Sequence, residues 1–469
     1  MIPKSEILDL ATQTSLQPHI LEKDYVLGWL LGGINQSPAL NGSWVFKGGT
    51  CLKKCYFETY RFSEDLDFTL RDAAHINEEF LRSTFTDIAA WVYDRSGIEI
   101  PAKRLVFDVY KNPRGFDSCQ GRVFYRGPVT PAAKDAMPRI KLDLTADEII
   151  AETPVIRPVR HDYSDGPPEG FNILSYSYIE VFAEKIRALK ERTRPRDLYD
   201  VINFFRRPES RDIADQVRAA LKRKCDHKSI GFPRLGDLES QKEFCSSGWH
   251  DQLAHQLQTL PPFDSFWDEL TAFFLWLEHP EQIAAAAPLR AIPAAAAAGN
   301  VVILHPGMPQ LSKLDRIRFA AVNRLCVKMD YRKENGERRS YLIEPYSLRI
   351  TADNNVILYA VKLPSAEIRS FRTDRIINAT VTEQTFAPRY AIDFIPAGPA
   401  GASARPTAAP SFKAPRKTTS ASSPRYVFRC AVCDKQFTRS TYDATLKAHK
   451  DKQGAPCYGR YGIYVTTNY

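Results

Sequence analysis

Apolar and polar positions change period several times along this 469-residue chain. Near its start, Ile7, Leu8, Leu10 and Ala11 fall close to helical spacing. ILEKDYVLGWLLGGI is apolar enough for a second, more buried helix. SWVFKGG reads as a short strand ending in a glycine turn, with a short helical run after it. SEDLDF, RLVFDVYK and PRIKLDLTA alternate apolar and polar residues, as half-buried strands do. NEEFLRSTFTDIAAWVYD, between them, has a helical period. From Ser177 to about Leu277 the pattern is mainly helical. The fold expected over 1–281 is therefore α+β, with an α/β head at about 1–170 and a helical part at about 171–281.

Two low-complexity stretches interrupt these patterns. An Ala-rich linker is expected at 282–300, where Pro288 and Pro293 break the alanine runs. Pro396 to Arg425 is rich in Pro, Ala and Ser without an apolar period, the composition of a flexible basic linker over 396–425. Between them, 301–395 is strand-rich, with turn signals at Glu334-Asn335-Gly336 and around Asp353, so a small β-barrel or sandwich is expected. A final module occupies 426–469.

Composition adds little to the head and much to the tail. The chain is 44% apolar and 25% charged, an ordinary globular balance. No apolar run is long enough for a membrane helix, and the N-terminus lacks the apolar core of a secretory signal. The nine cysteines are odd in number and mostly scattered, which argues against a disulfide framework and for a cytoplasmic location. The net charge of +9 lies entirely beyond residue 395, where 12 Lys/Arg face 3 Asp/Glu. A nucleic-acid partner for this tail is the functional expectation.

The candidate chemistry begins with Asp65 and Asp67. Residues i and i+2 of a strand share a face, so these carboxylates project together while Leu66 and Phe68 turn to the core. Two hard oxygen donors on one face suit Mg²⁺. Asp143, flanked by Leu142 and Leu144 in PRIKLDLT, is the third candidate metal ligand. Three carboxylates are enough to hold the ions that clamp a nucleoside triphosphate. Gly48, Gly49 and Thr50 open a helix whose N–H groups would face phosphates.

This order of motifs resembles polymerase-β-type nucleotidyltransferases, and within them the AbiEii/AbiGii toxin family of toxin–antitoxin and phage-defence systems, over roughly residues 5–280. The resemblance rests on HILEKDYVL, FKGGTCLKKCY, RFSEDLDF and YIEVFAEKIRALKERTRPRDLYDVINFF. It implies Mg²⁺-dependent transfer of a nucleoside monophosphate from an NTP to an RNA acceptor, tRNA for some members, and a possible cognate antitoxin. It also implies that Lys185 neutralises triphosphate charge and that Asp197 or Asp200 orients the lysine or contacts the nucleotide. By spacing alone, Lys185 borders an apolar stripe of Ile179, Phe182, Ile186 and Leu189, and Asp197 and Asp200 share one helix face. Ser63 shares the face of Asp65 and joins the candidate nucleotide-binding set. A sensor that binds NTP without transfer, or an enzyme that modifies a protein hydroxyl, uses the same residues.

The middle segment resembles the WYL domain through IEPYSLR, the VILYAV run and IRSFRTDRI, although no Trp-Tyr-Leu tripeptide is present. The resemblance implies a ligand site at Tyr359, Arg369, Arg372 and Arg375. In the tail, Cys430 and Cys433 have C-x₂-C spacing and are followed by His449 and Cys457, soft ligands that suit Zn²⁺. The module resembles a Cys-Cys-His-Cys variant of a ββα zinc finger, with Phe437 and Leu446 as its small core. Lys435, Arg439, Lys447 and Lys450 are candidate phosphate contacts.

Overall fold

Leu66 and Phe68 on one strand, and Ile140, Leu142 and Leu144 on another, are buried, while the alternate residues of both strands point away from the core. This period-2 pattern sets the sheet around which the first part is built. The computed structural model describes residues 1–14, 16–57, 61–129, 137–281, 289–296, 311–353, 355–394, 425–430, 432–433, 435–439, 446–451, 454–457 and 462–468. They divide into two compact units, Met1–Ala402 and Ser403–Tyr469.

Seven strands, β1 (Trp44–Lys47), β2 (Asp65–Leu70), β3 (Val106–Lys111), β4 (Asp117–Phe124), β5 (Arg139–Thr145), β6 (Val155–Val159) and β7 (Phe171–Ser175), form one mixed sheet in the order β3-β4-β5-β2-β1-β7-β6. The central pairs fix the site. β1 runs antiparallel to β2, and β2 runs parallel to β5. Helices α2 (Pro18–Gln36) and α4 (Glu78–Ser96) pack on the sheet, α1 (Lys4–Thr14) packs on α2, and α3 (Gly48–Cys51) continues from β1 into a π-helical turn, Leu52–Tyr56. Helix α2 is apolar nearly all round and accordingly buried from Ile20 to Ile34, apart from Lys23.

Beyond the sheet the chain is helical, as its period indicates. Helix α5 (Tyr178–Arg192) is capped by Ser177 and ends on Thr193 in the left-handed region. Helix α6 (Pro195–Phe205) begins on a proline, whose missing N–H costs nothing at a first turn. Helix α7 (Ala214–Lys228) packs on α5, and shorter helices follow as far as Glu278.

The expected linker at 282–300 is only partly described, and its described part is packed rather than free. Ile292 is buried against Cys326, Tyr346, Tyr359 and Phe386. After the helix Leu311–Val322 come β8 (Leu325–Arg332), β9 (Arg338–Ile350), β10 (Val356–Leu363), β11 (Glu367–Arg372) and β12 (Ile376–Thr385). They form an antiparallel sheet in the order β11-β10-β9-β8-β12. The expected barrel is not closed: among the described residues no ladder joins the edge strands β11 and β12. Helix Leu311–Val322 packs across β8, β9 and β12 and covers the face that closure would have hidden.

The expected linker 396–425 lies outside the described residues except for Arg425. In the second unit, β13 (Arg425–Cys430), β14 (Gln436–Arg439) and β17 (Gly462–Asn468) form a three-stranded sheet. A small hairpin joins β15 (His449–Lys450) to β16 (Pro456–Cys457). The described residues of this unit contain no helix, so the ββα outline is not reproduced among them.

Candidate functional site

Strand register places Lys47 opposite Asp67, and Asp67 opposite Asp143, in one row across β1, β2 and β5. Asp65 stands opposite Lys141. Asp65, Asp67 and Asp143 line one cleft of about 700 Å³ together with Lys47, Gly48, Gly49 and Ser63. The turn between β1 and α3 has to be glycine. Gly48 has φ +79°, and a Cβ there would lie 2.0 Å from the Asp67 carboxylate oxygen Oδ2. A Cβ on Gly49 would meet Arg61 Nη2 at 2.8 Å and Ser63 Oγ at 2.9 Å.

The acidic row is electrostatically crowded. Burial, together with Asp143 and Asp65, pushes the Asp67 carboxyl up to about 6 against the pull of Lys47. Burial and Asp65 likewise push Asp143 up. Thr50 is brought to the site in a different role from the expected one. It is 1% exposed, does not line the cleft, and its hydroxyl donates to the backbone oxygen of Asp65, which fastens α3 to β2.

The opposite wall comes from α5 and α6. Lys185 was expected at the border of core and solvent but is 7% exposed, its ammonium drawn onto Asp197 and Asp200 of α6. Its Nζ lies 2.7 Å from Asp200 Oδ2 and 3.4 Å from Asp197 Oδ1. Asp200 is fully buried and also receives Arg61 in a two-pronged pair at 2.8 and 2.9 Å. Burial opposes the Asp200 charge, but Arg61 and Lys185 outweigh it and hold the carboxyl well below the usual range. Asp197 lines the cleft; burial opposes its charge, but Lys185 and Arg192, whose Nε lies 2.7 Å from Oδ2, outweigh it and hold the carboxyl down. The structure thus brings together Asp65, Asp67, Asp143, Ser63, Lys185 and Asp197, with Asp200 one layer behind as the anchor of Lys185.

Besides Arg192, sequence reasoning missed Lys47, Arg61 and Glu148. Lys47 precedes the glycines and faces the acidic row, and it is ion-paired with Glu148. Glu148 also accepts from Thr69 Oγ1 at 3.0 Å and Tyr176 Oη at 3.1 Å. Burial disfavours its charge, yet Lys47 holds its carboxyl down. The one available signal for Lys47 was its place at the end of β1, in register with the D-x-D strand. Arg61 and Glu148 sit on irregular segments, and no spacing announces their long-range partners.

The other two candidate sites fare differently. Tyr359 is buried, and register places Ser370 and Arg372 on its face but Arg369 on the other. Arg369, Arg372 and Arg375 are separately ion-paired with Glu367, Asp374 and Glu334. The structure does not gather these four residues into one site. In the second unit, by contrast, the ligand atoms of Cys430, Cys433, His449 and Cys457 all lie within 4.8 Å of one another. The β15–β16 register sets His449 opposite Cys457, so the long gap before Cys457 is taken up by a hairpin. Leu446 is buried with Cys430 and Cys457, and Phe437 packs on them.

A mixed sheet that offers a carboxylate row beside a glycine turn, faced by a buried lysine, defines an enzyme of the nucleotidyltransferase class. The chain belongs to the AbiEii family of nucleotidyl transferase toxins from type IV toxin–antitoxin systems, whose family pattern matches residues 29–269, just over half of its length. The WYL domain matches residues 312–381. Among solved structures, the chain is similar to MenT4, a nucleotidyltransferase toxin from Mycobacterium tuberculosis H37Rv, at 18% identity and a TM-score of 0.41, covering 61% of this chain and 94% of that one. No curated protein sequence matches. Among the described residues no helix is long and apolar enough to cross a membrane.

Proposed function

We propose that this chain transfers a nucleoside monophosphate from an NTP to a hydroxyl of RNA, with tRNA as the acceptor class. The observation that carries the reading is the row Lys47–Asp67–Asp143 with Asp65 beside it, in a cleft whose far wall holds Lys185 and Arg192. The donor set fits divalent cations such as Mg²⁺: three hard carboxylates crowd one face, and two of them, Asp67 and Asp143, are pushed up by burial and by neighbouring carboxylates. A bound divalent ion would supply Lewis acidity toward the triphosphate and relieve that repulsion.

The chain's own residues do the rest. Lys185, aimed by Asp200 and Asp197, neutralises charge on the triphosphate, and Arg192 adds a second cation. Gly48 lets Asp67 and the turn approach closely. The acceptor hydroxyl oxygen bonds to the α-phosphorus, the bond from that phosphorus to the bridging oxygen breaks, and pyrophosphate leaves. The hydroxyl proton passes to the Asp65 carboxylate. The Cys-Cys-His-Cys cluster holds Zn²⁺, and the basic tail adds affinity for nucleic acid.

The test is incubation with each labelled NTP in turn, Mg²⁺ and total RNA. One nucleotide labels an RNA band, and Asp67→Ala, still folded, labels none. Binding of NTP with no label on RNA or protein would overturn the enzymatic reading, and label on protein alone would move the acceptor.

A further inference from the structure

A second, smaller cleft of about 330 Å³ meets the first at two residues, Asp65 and Arg196. Four of its eight lining residues are Lys or Arg, against the two carboxylates Glu64 and Asp65. Arg139 and Lys141 are exposed on β5, and Arg196 and His255 come from the helical part. Lys23 is already ion-paired with Glu64. Arg139, Lys141 and Arg196 form no ion pair with a carboxylate among the described residues. Among the described residues Arg196 donates to the backbone oxygen of Gln252, at 3.2 Å.

The order along β5 is informative. Arg139, Lys141 and Asp143 are spaced by two, so they share one face and follow one another at roughly 6.6–6.8 Å intervals. Two cations, Arg139 and Lys141, with no ion-pair partner among the described residues, therefore lead along the strand to the acidic row. Asp65, of the three carboxylates, is the one that lines both clefts. Repeating phosphates suit such a line, because each cation neutralises one phosphodiester without any need for base contacts.

We infer that this second cleft is the acceptor subsite: it binds the phosphodiester backbone of a single-stranded RNA end through Arg139, Lys141 and Arg196 and delivers the terminal hydroxyl to Asp65. The inference rests on the proposed RNA acceptor and adds the path by which it enters. A protein acceptor would present no row of phosphates and has no use for this line.

The experiment uses the full chain, with bulk tRNA and a short oligo(A) RNA as probes, and compares the wild type with Arg139→Ala/Lys141→Ala. NTP binding, measured separately, is retained and reports the fold. The Kd for RNA weakens about tenfold or more at low salt, and the slope of log affinity against log salt falls by about 1.4, as expected for two lost contacts at about 0.7 each on a single strand. Arg139→Lys restores most of the affinity. Unchanged RNA affinity and slope in the double variant would overturn the subsite, even where the wild type labels RNA. A lowered slope in a protein that labels no RNA would keep the subsite and remove the proposed transfer.

Discussion

Asp200 shows how a residue can serve the site without facing it. Fully buried, it takes Arg61 from the approach to β2 and Lys185 from α5, and so ties both walls of the cleft to α6. Removing one charge from such a cluster leaves the others unmatched in a low-dielectric interior. Asp200→Asn is therefore expected to lower stability at pH 7 by about 3–5 kcal/mol. The pH dependence follows from the depressed folded-state pKa. The stabilisation is present above the unfolded value of 3.8 and is lost as pH falls through that value toward the lower folded one. The gap between wild type and Asp200→Asn, read from urea unfolding at pH 7 and in steps below pH 4, should shrink with acid. A gap that stays constant would show that Asp200 is not ionised in its pair. Lys185→Met removes the cleft-facing cation while keeping its apolar stem. Because it also leaves Asp197 and Asp200 short of a partner, it should lose stability on the scale of Asp200→Asn. Growth arrest on expression should disappear at a temperature where that variant is still folded, and persistent toxicity would remove the role proposed for the lysine.

At the scale of elements, the turn from β1 into α3 decides the geometry of the acidic row. Gly48→Ala sets a Cβ in the left-handed region and 2.0 Å from Asp67 Oδ2, so both backbone and carboxylate must move. The backbone cost is about 1–2 kcal/mol, whereas displacing a reacting group by an ångström costs about 100-fold in rate. Activity should thus fall much further than stability in Gly48→Ala. Gly49→Ala, where side-chain ends of Arg61 and Ser63 are the nearest obstacles, should be milder. Equal losses in the two variants, measured by labelling rate and thermal melting, would contradict this reading of the turn. The same scale explains what was legible beforehand. Period-2 alternation placed Asp65, Asp67 and Asp143 on strands because their neighbours are buried leucines and phenylalanine. The helical stripe located Lys185 but not its depth, which depends on α6 bringing Asp197 and Asp200 against it. Arg61 was invisible because its partner Asp200 lies 139 residues away. The four candidate residues of the WYL region were adjacent in motif but not on one face, a distinction that register settles and composition does not.

At the scale of the whole molecule, the WYL sheet is not a loosely tethered appendage. The helix Leu311–Val322 is almost wholly buried from Leu314 to Ala321, apart from Asp315 and Arg316. Tyr199 Oη of α6 donates to Asn323 Oδ1 at 2.9 Å, one residue from Asp200, and Gln258 donates to Asp315 at 3.0 Å. Glu269 pairs with both Arg206 and Arg324. These contacts join the sheet to the element that anchors Lys185, so Met1–Ala402 should unfold in one cooperative step. The unit Ser403–Tyr469 is held differently. Among its described residues the buried apolar side chains are Val427, Phe428, Cys430, Leu446 and Cys457, with Phe437 packed beside them, a small core that a metal held by the gathered ligands would reinforce. Calorimetry of the zinc-loaded chain should therefore show two transitions. A chelator should abolish the smaller one and leave the larger in place, as should Cys430→Ser, with loss of about one zinc per chain. If the larger transition instead split in two, the seam through Tyr199 and Asn323 would not carry the coupling assigned to it. If chelation left both transitions unchanged, the four gathered ligands would not be a structural metal centre.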